Sequence, residues 1–275
     1  MNDFLANPAV QAGLAPFVVA LLLAAILLRS RLMGLAIGAG FATVVFLAIG
    51  FSFEPLTAVR KMILCGAGAC AVLLLLELFE VAPRTAVRLP LALASGLAAV
   101  WVVSRVLQQQ ETGSALLAAV GAAAYVALLV DGSTRASHDP IALAASSLMM
   151  GLCVGVLALL GASASIAQLG IGIGAASGAA LLVQMVCGRR AALGWTLALP
   201  AGLLSGLIGV LAVFIASLPW YCLLPTLLIP WAPRFYPTTA KRSVWVTGFL
   251  MAMLAFIPVL VAVALAWFTA SASSA

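Results

Sequence analysis

The chain has 275 residues, of which 65% are hydrophobic and only 7% are charged, and its formal net charge is +6. Because soluble domains usually carry charge on about a quarter of their residues, this composition excludes a water-facing globular surface. A membrane-spanning helix uses roughly 20 apolar residues, so no length remains for a soluble catalytic or nucleic-acid-binding domain. The sequence therefore predicts an all-α, polytopic integral membrane bundle whose main partner is the lipid bilayer and which binds no nucleic acid.

About ten transmembrane helices with short loops are predicted in chain order. The first five cover about residues 13–28, 33–51, 62–81, 89–107 and 114–130. Three spans rich in Gly, Ala and Ser follow, at about 141–160, 166–187 and 193–216. Small residues let helix backbones approach closely in lipid, so we expect these three spans to form the packed centre of the bundle. The last two spans are predicted at about 218–231 and 244–268.

The ninth span is unusual because it is short and contains Pro219, Pro225 and Pro230. Proline removes backbone hydrogen bonds that lipid cannot replace, so a regular helix is not expected here. Aromatic residues near both ends favour a full, proline-broken crossing. These residues are Trp220 and Tyr221 at one end and Trp231, Phe235 and Tyr236 at the other. The alternative is a re-entrant segment, which would move the last loop and the tail to the opposite sides.

The basic residues are divided unequally between the loops of this topology. If the loop after span one is cytoplasmic, only Arg60, Lys61 and Arg105 lie outside, and the other ten Lys and Arg residues lie inside. Such an excess is the usual signature of the cytoplasmic side. We therefore expect an integral protein of a bacterial inner (plasma) membrane with both termini outside the cytoplasm.

Residues 1–275 are predicted to form a single membrane domain. A polar connector at residues 131–140 separates two halves, 1–130 and 141–275, of five spans each. An odd number of spans per half would make the halves inverted, as in many transporters, although the halves share no clear residue-level similarity. The connector holds four candidate functional residues on the cytoplasmic side: Asp131, Arg135, His138 and Asp139. His138 is either a protonatable switch or simply a solvated loop residue.

Glu77 and Glu80 are the acidic candidates for a substrate path, because ionisable groups inside spans are costly and often functional. The alternative is that Arg84 and Arg88 neutralise both carboxylates near the headgroups. Gln168, Gln184 and Ser177 are the neutral candidates in the small-residue spans. These spans also contain Ser146, Ser147, Ser163, Ser165, Thr196 and Ser205. Such groups serve either as hydrogen bonds between helices or as the lining of a path for an uncharged polar solute through spans six to eight.

The remaining sequence patterns indicate helix packing and do not indicate a disulfide, metal or cofactor site. The spacing Gly202-xxx-Gly206 predicts a close helix contact. The five cysteines form no CxxC motif and no group with His at metal-ligand spacing, so neither a disulfide framework nor a metal site is predicted. The single histidine gives no pair for haem, and no cofactor is expected.

Three functional classes fit these observations. A permease for a small or lipid-like solute is favoured by the helix number, the Gly-rich helices and the proline-broken span. A non-catalytic subunit or assembly partner of a larger membrane complex comes next. The partners expected besides the bilayer are other membrane proteins or, in a homo-oligomer, further copies of the chain. A lipid-modifying intramembrane enzyme is least favoured, because its acid–base groups would be restricted to Glu77, Glu80, His138 and Asp139.

Overall fold

The computed structural model describes residues 7–51, 54–79, 85–191, 194–236 and 243–273. Within these ranges the protein is helical and contains no strand. The α-helices are α1 (Val10–Leu27), α2 (Leu35–Ile49), α3 (Ala58–Leu78), α4 (Thr85–Leu107), α5 (Thr112–Ala136), α6 (Pro140–Leu160), α7 (Ala164–Cys187), α8 (Gly194–Phe214) and α9 (Val244–Ser273). All except α2 are long and apolar enough to span a membrane. The predicted all-α membrane bundle is confirmed.

Local sequence explains where several helices begin and end. Asp139 caps α6, since its Oδ1 accepts hydrogen bonds from the backbone N–H groups of Ile141 and Ala142. Pro140 follows as the first helical residue, where its missing N–H costs nothing. Helix α7 ends at Gly188, whose φ of 60° is a left-handed conformation that glycine adopts without strain.

The ninth predicted span forms two short 3₁₀ helices, Trp220–Leu228 and Ala232–Phe235. We call residues 217–236 the broken crossing. It begins after Ala216, which lies against Gly161 at the end of α6, and reaches Gly132 near the end of α5 through Trp231. Because consecutive helices alternate in direction, these two contacts lie at opposite ends of the bundle. The predicted proline-broken crossing is therefore present, and its buried side packs on α5, α6 and α9.

Basic residues separate to the two ends of the bundle. We call the end with seven described arginines the arginine-rich end: Arg29, Arg31, Arg88, Arg135, Arg189, Arg190 and Arg234. Contacts between chain segments hold this end together, for example the hydrogen bond from Thr196 Oγ1 to the carbonyl of Arg31. Arg60, Lys61 and Arg105 lie at the opposite end, whereas Arg84, Lys241 and Arg242 lie outside the described residues. The charge asymmetry thus matches the predicted loops, and both described chain ends, Asn7 and Ser273, lie opposite the arginines.

Helix α8 is the centre of the bundle. In its most apolar stretch 89% of the residues are buried, against 28% in that of α5. Gly202, Gly206 and Gly209 of α8 face α5, where an added Cβ on Gly206 would lie 3.2 Å from Val126. The predicted close contact of the Gly202-xxx-Gly206 pattern is confirmed. The division of the single domain into two halves stays a prediction.

Candidate functional site

Three serine hydroxyls lie buried in the middle of the bundle without a hydrogen-bond partner among the described residues. They belong to Ser147 on α6, Ser177 on α7 and Ser205 on α8, and all three residues are fully buried. Leaving a buried hydroxyl unsatisfied costs about 1–3 kcal/mol. Neighbouring buried serines avoid this cost, since Ser146 Oγ donates to the Leu143 carbonyl at 3.0 Å. We call Ser147, Ser177 and Ser205 the mid-bundle serines.

Helix contacts show that Ser147 and Ser177 lie at one level of the α6–α7 interface. A Cβ atom on Gly178 would lie 3.3 Å from Leu148 Cδ1, so the residues that follow the two serines face each other. The same interface brings Gly151 against Gly174, one turn away. Each serine is close to the midpoint of its helix, and therefore far from either headgroup region.

Ser205 lies on α8, three residues after Gly202 and one turn before Gly209, and both of these glycines contact α5. Helix α8 packs on α5, α6 and α7. The three serines thus lie on three helices that pack on one another. Together they offer hydroxyl donors and acceptors with no fixed charge.

Of the predicted neutral candidates, only Ser177 belongs to this group. Gln184 is fully buried, but its Oε1 accepts from the Ala191 backbone N–H at 3.2 Å and its Nε2 donates to the Ala180 carbonyl at 3.3 Å. It therefore connects the end of α7 to the chain that leads into α8. Gln168 is half-buried near the start of α7, about 13 Å along the helix from Ser177. The structure does not bring either glutamine to the mid-bundle serines.

Glu77 lies at the beginning of α8, where its Oε1 accepts a hydrogen bond from the Trp195 backbone N–H at 3.2 Å. A carboxylate at this position accepts from an N–H group of the first helical turn and interacts favourably with the positive end of the helix dipole. Arg88, expected as a possible partner of Glu77 and Glu80, pairs with Asp131 instead. Glu80 and Arg84 lie outside the described residues. The part of Glu80 in a substrate path stays a prediction, as does that of Glu77.

The polar connector separates into a helical and a non-helical part. Helix α5 continues to Ala136, so Asp131 and Arg135 are four residues apart on one helix and form an ion pair at 2.6 Å. Arg88 of α4 donates from Nη2 to Asp131 Oδ1 at 2.9 Å. His138 is exposed. The structure thus joins Asp131 and Arg135 in one cluster, while Asp139 is engaged in capping α6.

Comparison with known proteins provides no relative for this arrangement: no family model matches the chain, and neither a curated protein nor a solved structure is significantly similar to it. The function of this protein is therefore inferred from the geometry of this chain alone.

Trp231 and Arg234 belong to the same group of side chains as Asp131, Arg135 and Arg88, and the sequence pattern does not predict this proximity. Trp231 of the broken crossing lies between two cations, with its ring centre 4.3 Å from the Arg234 guanidinium carbon and 5.4 Å from that of Arg135. These partners come from segments far apart in sequence. In the sequence, the only indication of this group of side chains is the excess of aromatic and basic residues after position 230.

A buried cation also occurs at the opposite end. Lys61 is only 7% exposed, and its Nζ donates to the Trp101 carbonyl at 3.0 Å and to Ser104 Oγ at 2.9 Å. The ammonium group also lies 5.2 Å from the centre of the Trp101 ring. These contacts satisfy the ammonium group by linking α3 to α4, and they support a structural role for Lys61.

Proposed function

We propose that this membrane protein is a permease for a small, uncharged polar solute that passes the mid-bundle serines. The observation that carries this proposal is a set of three buried hydroxyl groups on three neighbouring helices, none of which has a hydrogen-bond partner among the residues that the structure describes. A solute with hydroxyl or amide groups would supply the missing hydrogen bonds. The serines carry no charge, which favours a neutral solute over an ion.

Three hydroxyl groups without a hydrogen-bond partner among the described residues destabilise the bundle by about 1–3 kcal/mol each. Alanine at the same positions would avoid this cost. Buried polar groups that stay unsatisfied in a native structure are expected mainly at functional sites. A transient contact with a solute in the middle of the membrane would supply the missing hydrogen bonds.

One feature of the fold supports a conformational route for the solute. The broken crossing carries proline-interrupted 3₁₀ backbone through the bundle. In transporters, interrupted helices of this kind often adjoin the binding site. We infer that α6, α7 and α8 separate to admit the solute.

Osmotic flux through proteoliposomes tests the proposal. Liposomes with and without the purified protein are mixed with hyperosmotic glycerol, urea or erythritol, and re-swelling is followed by stopped-flow light scattering. The protein should accelerate re-swelling for at least one solute, and Ser147→Ala should slow this flux about fivefold, the equivalent of one hydrogen bond. Ser146→Ala is the matched control, because Ser146 is equally buried but already bonded to Leu143.

Equal re-swelling with and without protein for every solute would contradict the proposal. So would equal flux through the Ser147→Ala variant and the wild type, provided that the wild type transports.

A non-catalytic subunit of a membrane complex is the second candidate. It is favoured because Glu77, Gln184 and Asp139 all bond to backbone N–H groups at helix ends, so these polar side chains have structural roles within the chain. Extraction in a mild detergent followed by native mass spectrometry tests this candidate. A stoichiometric protein partner would support it, and a monomer or homodimer alone would count against it.

A further inference from the structure

We propose that the arginine-rich end carries a binding site for a phosphate group, namely that of an anionic phospholipid headgroup, formed by Arg88, Arg135 and Arg234 around Trp231. This inference depends on a different part of the molecule from the mid-bundle serines, and it does not require that the protein transports a solute.

The cluster contains more positive charge than its single carboxylate can neutralise. Asp131 binds Arg88 through Oδ1 at 2.9 Å and Arg135 through Oδ2 at 2.6 Å. Arg234 stacks on Trp231 at 4.3 Å and has no carboxylate partner within the described ranges. Asp139 lies at the same end of the bundle, but its Oδ1 is occupied at the start of α6. Three positively charged guanidinium groups therefore lie in a cluster that contains a single carboxylate.

One nitrogen atom of Arg88 indicates where an anion would bind in this cluster. Arg88 Nε is buried and has no hydrogen-bond partner in the described part of the chain, although the Nη2 atom of the same side chain binds Asp131. The Arg88 side chain is 12% exposed, so few water molecules reach it. A phosphate group has several acceptor oxygens and matches the planar donor set of guanidinium groups. Its negative charge would also reduce the repulsion among the three arginines.

The depth of the cluster favours a lipid as the source of the phosphate. Arg88 is in the first turn of α4 and Arg135 is in the last turn of α5, where the apolar spans end and headgroups begin. Phe235, next to Arg234, is 82% exposed, and aromatic residues are typical of this interface. Basic pockets between helices at this depth commonly bind anionic headgroups.

The test compares lipid binding by purified full-length variants in a neutral detergent. Arg234→Gln removes an exposed charge without breaking an ion pair, Arg234→Lys retains the charge, and Arg105→Gln removes an exposed arginine at the opposite end. Native mass spectrometry is used to titrate each protein with phosphatidylglycerol or with phosphatidylcholine. The wild type should prefer phosphatidylglycerol, and Arg234→Gln should bind it roughly fivefold more weakly, the effect of one interfacial arginine. Arg105→Gln should bind phosphatidylglycerol like the wild type. Arg234→Lys keeps the charge but loses the planar donors, so its affinity should lie between those of the wild type and Arg234→Gln.

A second arm distinguishes the source of the phosphate. Inorganic phosphate is added to the lipid-free protein, and the thermal midpoint is compared with that in an equal concentration of chloride. A stabilisation by phosphate alone that is lost in Arg234→Gln would assign the site to soluble phosphate and overturn the lipid assignment. Equal binding of the two lipids by the wild type, or undiminished phosphatidylglycerol binding by Arg234→Gln, would overturn the proposal.

Discussion

Gly151 of α6 and Gly174 of α7 are in direct backbone contact: a Cβ atom on Gly151 would lie 2.4 Å from the backbone nitrogen of Gly174. No real Cβ atom tolerates that distance, and backbone cannot move aside as a flexible side chain can. Gly155 and Gly170 repeat the arrangement further along the same pair of helices. The position of the mid-bundle serines therefore depends on glycines that bring α6 and α7 together.

We expect Gly151→Ala to destabilise the bundle by about 1–3 kcal/mol, because the added methyl group forces the two backbones apart. Gly121→Ala on α5 is the control, since an added Cβ there meets no atom within 4 Å. That control should be neutral or slightly stabilising, because alanine favours helix. Thermal unfolding in detergent measures both variants. Equal midpoints for the two would show that the α6–α7 contact is not as close as described.

Ser147→Ala should be more stable than Ser146→Ala. The two substitutions remove the same atom from adjacent, fully buried positions of one helix, so helix propensity cancels between them. Ser146→Ala loses a hydrogen bond to Leu143, whereas Ser147→Ala removes an unsatisfied hydroxyl and its penalty of about 1–3 kcal/mol. Chemical unfolding of both variants gives the difference. The reverse order would mean that Ser147 has a hydrogen-bond partner in the membrane.

Glu77→Ala should destabilise the protein by about 1–2 kcal/mol, because the start of α8 loses both an acceptor and a negative charge. Glu77→Gln keeps an acceptor oxygen and should lose less. Glu111→Gln is the control, since Glu111 precedes α5 without a capping side-chain bond. Thermal midpoints test the order. If Glu77→Gln instead abolished flux at unchanged stability, Glu77 would belong to the substrate path, as the sequence suggested.

The buried hydrogen bond between Tyr125 and Thr226 attaches the broken crossing to α5. Their hydroxyl oxygens are 2.8 Å apart, and we expect a coupling of about 1 kcal/mol in a double-mutant cycle of Tyr125→Phe and Thr226→Val. Tyr221→Phe is the control, because Tyr221 is 38% exposed on the same crossing. Strictly additive effects of the two substitutions would indicate that the crossing is not attached at this point.

The topology can be checked by labelling single cysteines with a membrane-impermeant reagent in intact cells. In a variant without the native cysteines, Arg29→Cys and Arg190→Cys should label from one side and Gln109→Cys from the other. This follows from the positions of these residues at opposite ends of the bundle. Labelling of Arg29→Cys and Arg190→Cys on different surfaces would falsify the arrangement of crossings, and the side that reacts shows which end faces the cytoplasm.

The amino-acid sequence by itself determined the long apolar helices, the separation of charge and the interruption at the broken crossing. Each of these properties is local or additive. A run of apolar residues is long enough to cross lipid whatever surrounds it, and Pro219, Pro225 and Pro230 prevent a regular helix in any context. The glycines of α8 likewise indicated close packing, although not that their partner is α5.

Only the tertiary structure decided which polar groups are satisfied. Ser146 and Ser147 are neighbouring serines in one helix, yet the Ser146 hydroxyl is bonded, whereas that of Ser147 has no partner in the described part of the chain. Arg88 pairs with Asp131, 43 positions away, and the partners of Trp231 come from separate segments. Helices that are apolar on every side have no periodic pattern to show which side faces the protein and which faces lipid. In such a bundle the functional faces are set by how the helices pack against one another.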